Sequence, residues 1–117
     1  MIERGEARFL ITLSIRLSMT PEHCAQAESI FRPLLEPTRV MRGCLSFRVY
    51  RDLEDGCALL LAQEWACEGD LARYVRGRDF QKVLAAIELA SEAPEIEIND
   101  VACTRGMEFI EELSRGP

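Results

Sequence analysis

Phe9, Ile11, Leu13, Ile15 and Leu17 alternate with Leu10, Thr12, Ser14 and Arg16. This is the period of two shown by a strand that buries one face more completely than the other. Thr20-Pro21-Glu22 then predicts a helix start. Threonine can accept from the free N–H groups of the first turn, and proline at the first helical position gives up no donor the helix would use. Cys24, Ala27, Ile30, Phe31, Leu34 and Leu35 form the inward stripe of that helix. Pro33 is expected to bend it or end it early, and Pro37 to stop it. After a turn at Gly43, Leu45, Phe47 and Val49 alternate with Ser46, Arg48 and Tyr50 as a second strand. The charged stretch 51–56 predicts a hairpin into a third strand at about 57–65. That strand is apolar on both faces, with Ala58, Leu60 and Ala62 on one and Leu59 and Leu61 on the other, so it is expected to be covered on both sides.

Glu68-Gly69-Asp70 opens a short helix through Tyr74 and Val75, and Phe80, Val83, Leu84, Ile87 and Ala90 space out a second amphipathic one after Gly77. Ile96 and Ile98 alternate with Glu95, Glu97 and Asn99 in a fourth strand reaching about residue 103, and Met107, Phe109, Ile110 and Leu113 predict an extra C-terminal helix. The order β-α-β-β-α-β predicts an α+β fold of the ferredoxin-like kind, a four-stranded antiparallel sheet with its helices on one face. No repeat, low-complexity tract or linker divides residues 1–117, which read as one domain. The face away from the helices is expected to expose a contiguous apolar patch, which a second copy would cover as an isologous homodimer.

Nearly half of the 117 residues are apolar, enough to bury a core without disulfide staples. Twenty carboxylates against fourteen Lys and Arg leave no basic surface for tracking phosphates, so nucleic acid is not an expected partner. No run approaches the roughly 20 apolar residues of a membrane helix, and Met1-Ile2-Glu3-Arg4-Gly5-Glu6 carries acids where a signal peptide carries cations. The chain is read as cytoplasmic, without a membrane partner. Its five cysteines, odd in number and without a C-x-x-C pair, are read as small apolar fillers. One histidine, His23, does not make a His-rich metal site. Nucleotide-binding glycine motifs and a G-x-S-x-G serine are absent from the sequence.

Several stretches occur in a telling order: Leu35-Glu36-Pro37-Thr38-Arg39, Gly43-Cys44-Leu45-Ser46-Phe47, Tyr50-Arg51-Asp52, and Gln63-Glu64-Trp65 with Leu71 and Asp79-Phe80 downstream. Together they resemble antibiotic biosynthesis monooxygenase domains, with the likeness running from residue 9 to about 103. The resemblance implies a dimeric α+β barrel with a small apolar pocket in each subunit between sheet and helices. It also implies oxidation of a quinol or phenolic aromatic by dioxygen without metal, flavin or other cofactor. A deprotonated electron-rich ring can itself give an electron to oxygen, so the protein has only to bind it, manage a proton and exclude water.

Under this resemblance Trp65 matches a tryptophan beside the substrate, able to stack on a ring or offer its N–H to a developing oxyanion; its plain role is to close the strand against the helices. Tyr74 stands where many relatives carry a histidine and could donate to a phenolate oxygen. Phe47, Leu61, Phe80, Leu84 and Asn99 are the expected pocket lining for a small apolar or aromatic ligand. Two departures matter. Leu61 occupies the place of an asparagine in polyketide-oxidising members, and Leu84 that of the axial histidine of the haem-degrading branch, so haem degradation is disfavoured. A non-enzymatic dimeric ligand-binding or scaffold module is the alternative, since one fold hosts many functions, and an isomerase or lyase is a third reading. Trp65 and Tyr74 together on a pocket would favour the oxygenase; a leucine-filled pocket would favour the scaffold.

Overall fold

In the computed structural model, which describes residues 9–116, the opening alternation becomes strand β1 (Leu10–Ser18). The reading of Met1 to Glu6 as lacking a signal lies outside these residues. Helix α1 (Pro21–Arg39), β2 (Cys44–Arg51), β3 (Ala58–Trp65), α2 (Glu68–Val75), α3 (Arg78–Ile87), β4 (Glu95–Val101) and α4 (Met107–Arg115) follow. The four strands form one antiparallel sheet in the order β2-β3-β1-β4, as the βαββαβ pattern requires.

Register sorts the side chains. Ile11, Leu13, Ile15 and Leu17 of β1 pair with Trp65, Gln63, Leu61 and Leu59 of β3, and all eight are buried toward the helices. Phe31 and Leu34 of α1 and Val83 and Ala86 of α3 close the core from that side. At roughly 1.5–3 kcal/mol per fully buried large side chain, this layer is the main source of stability.

Thr20 caps α1 as its side chain accepts from the His23 N–H. The helix then runs through both Pro33 and Pro37, contrary to the expected early end. The two prolines are four residues apart and both exposed, so the carbonyls they leave without helical partners face water. An interior proline costs about 3 kcal/mol, which the burial of Cys24, Ala27, Phe31, Leu34 and Thr38 on the other side offsets. Arg39 Nε then donates to the Phe47 carbonyl at 2.9 Å, tying the end of α1 to β2. The β2–β3 hairpin is built on Asp52, whose carboxylate accepts from the N–H groups of Glu54 and Asp55 and from Arg16.

The face away from the helices corrects another expectation. Leu60 lies there between Arg16 and Tyr50, and Ala62 between Ser14 and Arg48, with Thr12, Ser46, Glu64, Glu97 and Asn99 around them. Leu60 and Ala62 are thus islands in a mostly polar surface, because Arg16, Ser14 and Arg48 are among their cross-strand neighbours. The cysteines also divide: Cys24 is buried, but Cys67 and Cys103 are exposed and fill no core space. Helix α4 buries none of its residues, and the described chain measures 50 × 34 × 22 Å. No helix among the described residues is long and apolar enough to cross a membrane.

Candidate active site

Trp65 closes β3 on the helix-facing side, opposite Ile11 of β1 and Cys44 of β2, with its surface fully covered. Gln63, two residues earlier, shares that face because strand side chains repeat every second position. Its Oε1 accepts from Trp65 Nε1 at 3.0 Å, and its Nε2 donates to the Tyr74 hydroxyl oxygen at 2.9 Å. Tyr74 arrives from α2 and stacks on the indole, ring centroids 4.8 Å apart and planes 28° from parallel. Phe80 of α3 meets the tyrosine edge-on at 5.3 Å. Three elements therefore lock one amide between two aromatic side chains.

This arrangement decides what each polar atom can offer. The single indole N–H is engaged with Gln63 and the ring is fully covered, so Trp65 serves as a packed anchor. The Tyr74 oxygen accepts from Gln63 and keeps its own proton to give. Burial pushes the Tyr74 phenol up to about 12, with the Gln63 hydrogen bond pulling the other way. The residue is a neutral donor near pH 7, not a base. A folded-state value above the unfolded one of about 10 means that this group's contribution to stability is present below pH 10 and lost as pH rises toward 12. Urea denaturation of Tyr74→Phe should accordingly show a shallower loss of stability across that interval than the parent; identical slopes would mean that Tyr74 does not titrate there.

A recess of about 170 Å³ reaches this cluster and is lined by Met41, Arg42, Trp65, Asp70, Arg73, Tyr74 and Gly77. Asp70 sits at its mouth, largely buried. It accepts from Arg73 Nη1 at 2.9 Å and from the Cys67 thiol at 3.2 Å, and its Oδ1 lies 3.8 Å from Arg42 Nε. The Arg73 hydrogen bond first, then Cys67 and the charges of Arg73 and Arg42, hold its carboxyl below the usual carboxylate range. Gly43 has φ +84° and packs so closely on Asp70 that a Cβ at position 43 would overlap the aspartate side chain.

Of the residues singled out from sequence, Trp65 and Tyr74 meet at this recess and Phe80 supports Tyr74 from behind. Phe47 and Leu61 are buried members of the core cluster, and Leu61 pairs with Ile15 and Val49 rather than lining the recess. Leu84 is 40% exposed on α3. Asn99 pairs with Thr12, on the opposite face of the sheet from Trp65. The residues missed were Gln63, Met41, Arg42, Asp70 and Arg73. Gln63 was discoverable, since it is a polar residue in phase with Leu59, Leu61 and Trp65; the others come together only through the packing of the Gly43 turn on α2.

The sequence pattern described as antibiotic biosynthesis monooxygenase matches residues 10–86, which include β1, the β2–β3 hairpin, Trp65 and Tyr74. The chain belongs to that family. Among solved structures, a conserved protein from Methanosarcina mazei Go1 is similar at 26% identity and a TM-score of 0.73, over 79% of this chain and 92% of its own. A proposed antibiotic biosynthesis monooxygenase from Deinococcus radiodurans is similar at 20% identity and a TM-score of 0.74, over 83% and 97% of the two chains. One from Caulobacter crescentus CB15 gives 21% and 0.72, over 83% and 93%. At such identities the last two speak for the shared fold. No curated protein matches the sequence.

Proposed function

We propose that this family member is a cofactor-independent monooxygenase that oxidises a small phenol or quinol with dioxygen at the Trp65–Tyr74 recess. The observation that supports the reading is the Gln63-held pair of Trp65 and Tyr74, a buried indole and a buried, neutral phenol bordering a mainly apolar recess. Such a donor suits the oxygen of a bound phenolate and the quinone oxygen that replaces it, where preorganised hydrogen bonds act on developing charge. The electron count needs no outside reductant. A phenol whose ring C–H becomes a quinone C=O takes one atom of O2 and releases the other with two hydrogens as water.

The test is oxygen uptake by the purified protein over a panel of phenols and quinols, with heated protein as blank. Saturable uptake should fall about 100-fold in Tyr74→Phe, the size typical of losing one such donor. No uptake with any compound would remove the oxygenase and leave a ligand-binding module.

The working unit in this reading is a homodimer. Met107, Ile110 and Leu113 of α4 are all exposed, as expected of surface that a partner covers. On the sheet face away from the helices, Arg48 lies on the edge strand β2 and Glu95 and Glu97 on the opposite edge strand β4. A two-fold axis along the strands would lay β2 of one copy over β4 of the next and bring unlike charges together. Arg48→Glu should weaken self-association in sedimentation equilibrium, and adding Glu97→Arg should restore it. A parent protein that is monomeric at micromolar concentration defeats this arrangement.

A further inference from the structure

We infer that Cys24 and Cys57 form a peroxide-responsive pair, in which the half-buried Cys57 is oxidised and the buried Cys24 closes a reversible disulfide on it. Cys24 stands in the first turn of α1, and Cys57 directly precedes β3. Position 57 is in phase with Leu59, Leu61 and Trp65, so its side chain shares their helix-facing side. The Cys57 carbonyl accepts from the Met19 N–H at 3.1 Å, which pins it beside the residues that lead into α1. Both cysteines line one open recess of about 320 Å³, with Pro21, Ala25, Glu28 and Arg51. Cys24 Sγ lies 3.9 Å from the carbonyl oxygen of Gly56, the residue bonded to Cys57. One peptide unit separates that oxygen from the Cys57 Cα, so the sulfur sits within roughly 7 Å of it. That is close enough for side-chain rotation and a small shift of the helix start to bring the two sulfurs into contact.

Arg51 holds this juncture. Its Nη1 donates to the Cys24 sulfur at 3.3 Å and to the Gly56 carbonyl, and its guanidinium pairs with Glu28. The Cys24 thiol in turn points at Glu28 Oε2, 3.9 Å away. The sulfur is therefore held among polar groups between α1 and the loop before β3, unlike a cysteine that merely fills the core. Cys44 and Cys67 are placed differently, their thiols donating to the Ser46 carbonyl and to Asp70. Exposure assigns the roles of the pair. A peroxide meets Cys57, whereas Cys24, only 3% exposed, has to meet nothing but its neighbour. The Cys57 thiolate attacks one oxygen of a hydroperoxide and the O–O bond breaks. The sulfur is oxidised to sulfenic acid, and the second oxygen, reduced, takes a proton and leaves as water or an alcohol. The Cys24 sulfur then attacks the Cys57 sulfur and the S–O bond breaks. The hydroxyl leaves as water with the proton that Cys24 gives up, for which the Glu28 carboxylate is the adjacent acceptor. A thiol reductant returns both residues to thiols.

The test is to treat the reduced protein with hydrogen peroxide, block remaining thiols with N-ethylmaleimide and digest with trypsin without reductant. Mass spectrometry should find the peptides of Cys24 and Cys57 joined with the loss of two hydrogens, and dithiothreitol should release them. Because the bridge closes a long loop, it should raise the melting temperature of the oxidised protein by about 10 °C. Cys57→Ser should abolish both the link and the shift, and Cys67→Ser should keep both. In Cys24→Ala, Cys57 should instead go on to sulfinic acid, since nothing resolves its sulfenic acid. Cys57 is only half-buried, so its replacement keeps the test valid if loss of the buried Cys24 disturbs folding. Both thiols still free after peroxide, a link that joins other cysteines or two molecules, or a bridged protein that melts lower than the reduced one would overturn the inference.

Discussion

Trp65→Ala is expected to cost about 3–5 kcal/mol of folding stability, the range for truncating a large buried aromatic. For a chain of this size the melting temperature should fall by roughly 10–25 °C. The loss has three sources: the packing of the indole under the helices, the stacking with Tyr74, and the hydrogen bond that leaves Gln63 Oε1 without a donor once the indole is gone. Since small domains hold only about 5–15 kcal/mol in total, much of the margin depends on this one side chain. Thermal and urea melts followed by far-ultraviolet circular dichroism measure it. A loss under about 1 kcal/mol would show that the indole is not packed as described.

Gln63→Leu should be nearly as damaging, at about 2–4 kcal/mol, although leucine is the better core residue by hydropathy. The substitution strands the Trp65 N–H in a dry interior and takes the donor away from the Tyr74 oxygen. The asymmetry between removing one partner and removing both makes a sharper test. In Gln63→Leu/Trp65→Phe the orphaned N–H is absent, so the double variant should be more stable than the sum of the single losses implies. Strict additivity in urea denaturation would mean that the amide and the indole are not coupled.

The parts of the fold legible from sequence are those set by local alternation. β1 and β3 declare their buried faces because each has the sheet centre on both sides, and the 51–56 connection declares its turn through Asp52 and Gly56. Pro33 and Pro37 misled because a local penalty says nothing about how much apolar surface lies on the other side of the same helix. The apolar patch misled because a face is shared by all four strands, and the polar neighbours of Leu60 and Ala62 are chosen by register. The resemblance singled out Trp65 and Tyr74, which the fold brings together beside one recess. Asn99 was not placed correctly, although it is out of phase with Ile96 and Ile98, because which face of β4 meets the helices depends on its pairing with β1. The arginines at the mouth carried no local signal, since Arg42 follows α1 and Arg73 lies on α2, and nothing near either in sequence names Asp70 as their common partner.

The close approach of Gly43 to Asp70 bears on how such a sequence can drift over time. A side chain at position 43 demands a smaller one at position 70, and a smaller residue there dismisses the carboxylate that gathers Arg42 and Arg73. The turn, the acid and the two cations are therefore one heritable unit. A lineage that loses the glycine is expected to lose the electrostatic character of the recess with it, and two lineages that differ at both positions should be compared as different binding specificities on one scaffold.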